Sequence, residues 1–163
     1  MKILITGPCG SGKTTTLSEL EKLGYKVTKE HAGKIWKTGL RGDEFELAVL
    51  KTRMEIYENA KGKIVFFDRS FLDSLIFRKF DGKLILKQFV DAIKKYKFDK
   101  VFVLEPLDNY EPDGIRELFI KNKEDAKRWF ELAIRTCREY DYEPIVVKNM
   151  PIKDRIEFIS KNL

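Results

Sequence analysis

The segment Gly7–Thr14 constrains this chain most strongly, because it fits the pattern G-x-x-x-x-G-K-[ST]. The apolar run Ile3–Ile5 precedes it and predicts a buried strand, and the stretch Lys13–Leu23 predicts a helix directly after it. A glycine-rich turn between a strand and a helix aims successive backbone N–H groups inward, and the positive end of the helix adds to their attraction for phosphate. We therefore predict an α/β fold that contains a nucleotide-binding loop.

The residue types of this loop suit phosphate binding. The nucleotide-binding residues that we predict are Gly7, Pro8, Cys9, Gly10, Ser11, Gly12, Lys13, Thr14 and Thr15. Lys13 places a positive charge on the β- and γ-phosphates, and the Thr14 hydroxyl is an oxygen ligand of the kind that Mg²⁺ accepts. The loop therefore predicts Mg²⁺ as a cofactor and ATP as a co-substrate, with GTP as the alternative nucleotide.

Length and charge limit the class of protein. The 163 residues predict a single nucleotide-binding domain over residues 1–163. No apolar run approaches the length of a membrane span, and the two cysteines suit a reducing compartment, so we expect a cytoplasmic protein. The net charge of +6 indicates either a lysine-rich solvated surface or attraction of polyanionic substrates, whereas no motif supports nucleic-acid binding.

An acidic residue ends a second apolar run. Ile64–Phe67 predicts a buried strand, and Asp68 follows at its carboxyl end, where phosphate-loop NTPases place the acid that holds Mg²⁺. Arg69 comes next, and its guanidinium can bind a phosphoryl group with two hydrogen bonds; the alternative is a structural ion pair with a neighbouring carboxylate. We predict Thr14 and Asp68 as the metal ligands, with Asp68 and Arg69 also acting in catalysis.

Two further residues are candidates for binding a phosphoryl acceptor together with Arg69. Glu30 follows a short polar strand, and an acid at the carboxyl end of a parallel strand points into the ligand crevice; the alternative is a surface residue at the start of a helix. Arg53 lies on a long predicted helix and reaches the acceptor only if that helix borders the crevice. At the start of the same helix, Asp43 and Glu46 predict a capping box.

The segment Leu107–Asn122 shows no clear periodicity, and it contains a proline and a glycine. Long irregular segments in compact domains are usually functional and often form lids. Arg116 within this segment is our fourth candidate catalytic residue after Lys13, Asp68 and Arg69, because a basic lid residue can close over the transferring phosphates. The alternative is a solvated loop.

Five strand-like segments alternate with helices, which predicts one parallel sheet covered on both faces. With Gly7–Thr14, Asp68–Ser70 and Asp113–Arg116 in place, the chain resembles the small AAA-domain family of P-loop ATPases and kinases related to nicotinamide ribonucleoside kinase. More distantly, it is similar to nucleoside and nucleotide monophosphate kinases. The resemblance runs nearly end to end and includes the Glu30 segment and the terminal helix with Arg155.

The resemblance implies a three-layer P-loop NTPase fold with sheet order 2-3-1-4-5, helices on both faces and a short lid. It also implies that Lys13 and Thr14 carry the phosphate and metal roles, that Asp68 is a base or a metal-associated acid, and that Arg69 and Arg116 contact phosphate. The sheet order agrees with the polar character of the second strand, which we place at an edge.

Two functional hypotheses follow from these residues. The first is a Mg²⁺-dependent kinase that transfers the γ-phosphoryl group of ATP to a small acceptor, a nucleoside or a nucleotide. The second is a GTP- or ATP-binding NTPase or switch that acts through partners, because Asn122–Asp125 reads N-K-x-D and resembles the guanine-recognition motif of GTPases. We interpret that segment as a helix cap, because no D-x-x-G follows the third strand.

Overall fold

A computed structural model of the protein describes residues 1–108 and 120–163. The described strands are β1 (Lys2–Thr6), β2 (Lys26–Thr28), β3 (Val65–Asp68), β4 (Lys100–Leu104) and β5 (Ile145–Val147). The described helices are α1 (Lys13–Lys22), α2 (Ala32–Trp36), α3 (Gly42–Asn59), α4 (Phe71–Phe80), α5 (Lys87–Lys95), α6 (Lys123–Glu139) and α7 (Ile152–Lys161). None of these helices combines the length and the apolar character needed to cross a membrane.

The five strands form one parallel sheet in the order β2-β3-β1-β4-β5, which confirms the predicted order. The polar strand β2 lies at an edge, as expected. The register pairs Ile5 of β1 with Asp68 of β3, so the end of β3 lies beside the start of the phosphate-binding loop. Adjacent parallel strands that end at the same edge form the ligand crevice of an open α/β sheet.

Apolar side chains cover both faces of the sheet, as the alternating pattern predicts. Leu4 faces a cluster that includes residues of α3 to α6, among them the fully buried Trp129. Ile3 and Ile5 face the other cluster, where α1 and α7 supply Leu17, Leu20 and Ile159. Each buried side chain of this size contributes about 1.5–3 kcal/mol. Packing on both faces therefore fixes the crevice at the carboxyl edge of the sheet.

Side-chain caps begin two of the helices. The Asn122 side chain accepts a hydrogen bond from the Asp125 N–H at 2.8 Å, which confirms the predicted cap of α6. At the start of α4, Ser70 accepts from the Leu72 N–H at 3.0 Å, and Asp73 accepts from the Ser70 N–H at 2.9 Å. This capping box fixes the chain direction directly after Asp68.

The capping box predicted for α3 is wrong. Arg41 is the N-cap residue, and its side chain makes no capping hydrogen bond. Asp43 and Glu46 instead accept from Nη1 of Arg78 at 2.6 and 2.7 Å. Arg78 is almost fully buried, and a buried charge needs opposite charges close to it. The ion pairs with this guanidinium, which is 32 or more residues away along the chain, stabilise the two carboxylates more than hydrogen bonds to the N-terminus of α3 would.

Candidate functional site

The predicted loop connects β1 to α1 in a tight backbone turn. Gly12 has a φ angle of 79°, in the left-handed region that favours glycine. A Cβ atom at Gly7 would lie 2.7 Å from Oγ of Ser11 and 2.8 Å from the carbonyl of Leu104, and one at Gly12 would lie 2.6 Å from Nη1 of Arg155. Both positions therefore require glycine, which is what a close backbone cradle for phosphate needs.

The amine of Lys13 lies inside this loop. Its Nζ donates hydrogen bonds to the carbonyls of Gly7 and Pro8 at 2.9 and 2.6 Å and to Oγ of Ser11 at 3.3 Å. Burial, with a smaller contribution from the positive charge of Arg69, lowers the pKa of this amine to about 7. The predicted phosphate-binding lysine thus lies in the loop, in surroundings that disfavour its charged form.

Arg155 contacts the back of the same loop, and sequence reasoning missed this contact. Its Nη1 donates to the carbonyl of Ser11 at 3.1 Å and to Oγ1 of Thr16 at 3.2 Å. The signal was in the helix pattern, because Arg155 lies one helical turn before Ile159 and therefore on the same inward face. Ile152, which the sequence pattern placed inward, is exposed. A cation at an inward position of a helix indicates a buried partner.

Asp68 and Thr14, the predicted metal ligands, line one cavity. Burial raises the pKa of the Asp68 carboxyl, although Arg69 and Lys13 oppose the rise. Within residues 1–108 and 120–163, no group donates a hydrogen bond to this carboxylate. A hydroxyl and a free carboxylate fit Mg²⁺, which keeps several waters and takes its remaining ligands from nucleotide phosphates. The described residues contain no cluster of three or more acidic, histidine or cysteine side chains that would hold a metal alone.

Glu30 lies at the centre of an ion-pair network with the two predicted acceptor-binding arginines. Its Oε2 is 2.8 Å from Nη2 of Arg53 and 3.4 Å from Nε of Arg69, and its Oε1 accepts from the N–H groups of His31 and Ala32 at 2.9 Å each. Burial would raise the pKa of this carboxyl, but the two guanidiniums and the backbone donor hold it at about 2. Glu30 is therefore ionised and held in position.

Arg69 is held from its other side by Asp73. Nη1 of Arg69 donates to Oδ1 of Asp73 at 2.9 Å, and its Nη2 lies 3.8 Å from the thiol of Cys9 in the loop. The backbone of Arg69 has a φ angle of 64°, which residues other than glycine rarely adopt. Asp73 is fully buried and also accepts from Oγ1 of Thr6 at 2.5 Å. The structural ion pair that we weighed against the catalytic role of Arg69 therefore exists.

One cavity of about 530 Å³, a volume typical of small-molecule sites, is lined by most of these groups, although Asp73 and Arg155 lie outside its wall. At one end lie the loop and the exposed hydroxyls of Thr14 and Thr15. In the middle lie Glu30, Arg53, Asp68 and Arg69. At the other end the wall is mostly apolar and comes from α2, α3 and α4, with Trp36, Phe45, Val49 and Phe77. The structure thus brings the predicted loop, metal and acceptor residues together, whereas Arg116 lies outside the described residues.

Comparison with solved structures gives the same fold. Deoxyadenosine kinase from M. mycoides, with dCMP and dCDP bound, is 24% identical over 99% of this chain and 97% of its own, with a TM-score of 0.67. NadR in complex with NR is 17% identical over 90% of this chain and 45% of its own, with a TM-score of 0.72. Thymidylate kinase from Candida albicans is 14% identical over 99% of this chain and 89% of its own, with a TM-score of 0.71.

These identities are low, so the three likenesses establish a shared fold and no more. A search of curated proteins found no significant match to the sequence. The model of the AAA domain family matches residues 2–155, which is nearly the whole chain. The expected family is thereby confirmed: the chain belongs to the AAA domain family and has the fold of P-loop nucleoside and nucleotide kinases.

Proposed function

We propose that the protein is a Mg²⁺-dependent kinase that transfers the γ-phosphoryl group of ATP to a small acceptor of the nucleoside or nucleotide class. The observation that carries this proposal is the continuity of the cavity, which extends from the phosphate loop past Asp68 and Arg69 to a chamber walled by α2, α3 and α4. A hydrolase needs room only for water, whereas an apolar part of the cavity beyond the phosphate loop suits a second substrate.

The charges of the chamber favour an acceptor hydroxyl over an acceptor phosphate. Lys13 belongs to the phosphate loop, and Arg53 and Arg69 are the other described cations of the cavity wall. Glu30 and Asp73 already neutralise these two arginines. Asp68 adds a further negative charge. A phosphate monoester brings about 1.5–2 negative charges at pH 7 and would find no unmatched cation here. We therefore propose that the acceptor is a nucleoside and that its monophosphate is a poor substrate.

In this proposal the residues act mainly by positioning and by charge. Lys13 and Arg69 stabilise the charge on the γ-phosphoryl group, and Thr14 and Asp68 would hold Mg²⁺, which would neutralise the charge that develops on the phosphates. Glu30 accepts a hydrogen bond from the acceptor hydroxyl. A carboxylate with a pKa as low as that of Glu30 can still take the proton of this hydroxyl, because the proton becomes strongly acidic as the hydroxyl oxygen bonds to phosphorus.

The guanine-switch alternative has less support. Asn122 and the Asp125 N–H pair with each other at 2.8 Å, and Oδ2 of Asp125 accepts from the Lys121 N–H at 3.2 Å. The side chains of Asn122 and Asp125 in the N-K-x-D segment thus already have partners at the start of α6.

We propose ATP as the donor, with residues 1–163 as one kinase-like domain. We also propose a cytoplasmic location, which is supported by the two free cysteines.

Labelled phosphoryl transfer tests the function. ATP and Mg²⁺ are incubated with a panel of ribonucleosides, deoxyribonucleosides and their 5′-monophosphates, and both ADP and labelled product are measured. We expect product from at least one nucleoside, with kcat/KM at least about 100-fold higher than for its monophosphate, because an unmatched phosphate costs several kcal/mol. ATP hydrolysis that is the same with and without every acceptor would contradict the kinase proposal. A preference for the monophosphate would contradict only the nucleoside assignment.

A further inference from the structure

Arg155 is a buried cation that pairs with no carboxylate of residues 1–108 and 120–163. It lies in the first half of α7, which packs against α1, and only 4% of it is exposed. Arg78, which is also buried, differs because it pairs with Asp43 and Glu46, and the partly buried Arg69 pairs with Asp73. Within the described part of the chain, the guanidinium of Arg155 has only neutral oxygens as partners, and its buried Nε has none.

A buried charge without an opposite charge is costly, so its position needs an explanation. Nη1 of Arg155 lies against Gly12 and holds the carbonyl of Ser11, directly behind the loop that also contains the amine of Lys13. The N-terminus of α1 adds its own positive potential at this point. Arg155 and the N-terminus of α1 therefore place positive potential on the same loop. A phosphate chain in the loop would supply the negative charge that the buried guanidinium lacks among its partners in residues 1–108 and 120–163.

We propose that the phosphates of the bound nucleotide are the missing counter-charge of Arg155, which makes it a positioning residue for the nucleotide. Arg155 supplies positive charge from behind the loop and keeps the Ser11 carbonyl turned away from the phosphates. Oγ1 of Thr16, which donates to the Gly12 carbonyl at 2.9 Å, extends the same hydrogen-bond chain. This role rests on nucleotide binding by the loop, as the proposed function does, and it adds α7 to the nucleotide site.

The test compares Arg155→Met with wild type and with Lys153→Met, which removes the same charge from an exposed position of the same helix. Calorimetry measures the affinity for ADP and for inorganic tripolyphosphate, and thermal unfolding is followed without ligand. We expect Arg155→Met to bind both ligands at least about tenfold more weakly, with an unfolding temperature equal to or above that of wild type. Lys153→Met should match wild type in every measurement.

Three outcomes would overturn the inference. The first is unchanged affinity in Arg155→Met, with a lower unfolding temperature, which would make the residue purely structural. The second is weaker binding of ADP with unchanged binding of tripolyphosphate, because the residue would then recognise another part of the nucleotide. Should the Met variant not fold, Arg155→Lys decides: it keeps the charge, and a loss of affinity above about tenfold would show that charge is not what Arg155 contributes. Failure of wild type to bind ADP would instead contradict the proposed function.

Discussion

Oδ1 of Asp73 accepts a hydrogen bond from Nη1 of Arg69 at 2.9 Å, and this contact links the first turn of α4 to the candidate catalytic site. The same carboxylate accepts from the Ser70 N–H and from the Thr6 hydroxyl, so one buried acid connects the helix start, strand β1 and the arginine. The backbone of Arg69 is in the left-handed conformation, and this conformation costs free energy of the order of 1 kcal/mol. The hydrogen bonds to Asp73 help to offset that cost. The position of the guanidinium follows from this arrangement.

Replacing Asp73 by Asn should therefore impair turnover more than nucleotide binding. The amide keeps the size of the side chain but loses the charge that holds the guanidinium, so we expect kcat to fall about 10–100-fold and ADP affinity to change less than about threefold. Stability should fall by about 1–3 kcal/mol, because a buried charged hydrogen-bond network loses a partner. Asp91→Asn on the exposed face of α5 is the control. A normal kcat in Asp73→Asn would contradict the catalytic role of Arg69.

The low pKa of Lys13 predicts proton uptake when nucleotide binds. At pH 8 an amine with a pKa of about 7 is mostly neutral, and a phosphate beside it restores the charge. We expect about 0.5–1 proton to be taken up for each ADP bound at pH 8, seen as a difference between the binding enthalpies in Tris and in HEPES. Lys22→Met, on the exposed face of α1, should show the same uptake, and Lys13→Ala should lose tight binding. Equal enthalpies in both buffers would contradict this prediction.

The ion pairs of Glu30 predict a stability that depends on acid pH. Its folded-state pKa of about 2 is depressed below the ordinary value of 4.5, so its contribution is complete above pH 4.5 and is lost as the pH falls towards 2. We expect Glu30→Gln to be roughly 1–3 kcal/mol less stable than wild type at pH 6, with the difference shrinking at pH 3. Denaturant unfolding at both pH values measures it. Glu131→Gln, exposed on α6, is the control, and a pH-independent difference would refute the prediction.

The cap of α6 separates the two functional hypotheses. If Asn122 only caps the helix, Asn122→Ala should lose about 0.5–2 kcal/mol of stability and leave the preference between ATP and GTP unchanged. Asp125→Ala should likewise leave the donor preference unchanged. Thermal unfolding and donor competition measure these effects. A strong preference for GTP that disappears in Asp125→Ala would support the guanine-binding switch instead.

Local patterns in the sequence were sufficient for the elements that satisfy their own requirements within a few residues. The loop Gly7–Thr14 and the cap at Asn122 each combine a backbone turn with a side chain that bonds to atoms a few residues away, and the acid Asp68 is placed by the end of β3 itself. The polar residues of β2 also indicated an edge position, because a central strand of a parallel sheet is buried on both faces and has no room for solvated side chains. The fold family followed from these patterns read together.

Only the tertiary structure decided which charges meet. Glu30 and Arg53 are 23 residues apart, and Ser11 and Arg155 are 144 residues apart, so no periodicity relates them. Asp43 does not cap α3, because its carboxylate pairs with the buried guanidinium of Arg78, and leaving that charge unpaired would cost more free energy than losing the cap. A local pattern records what a residue can do with its own backbone. The partner of a buried charge depends on which distant side chains the packed sheet and helices bring within hydrogen-bond distance, because desolvation makes any unpaired charge there costly.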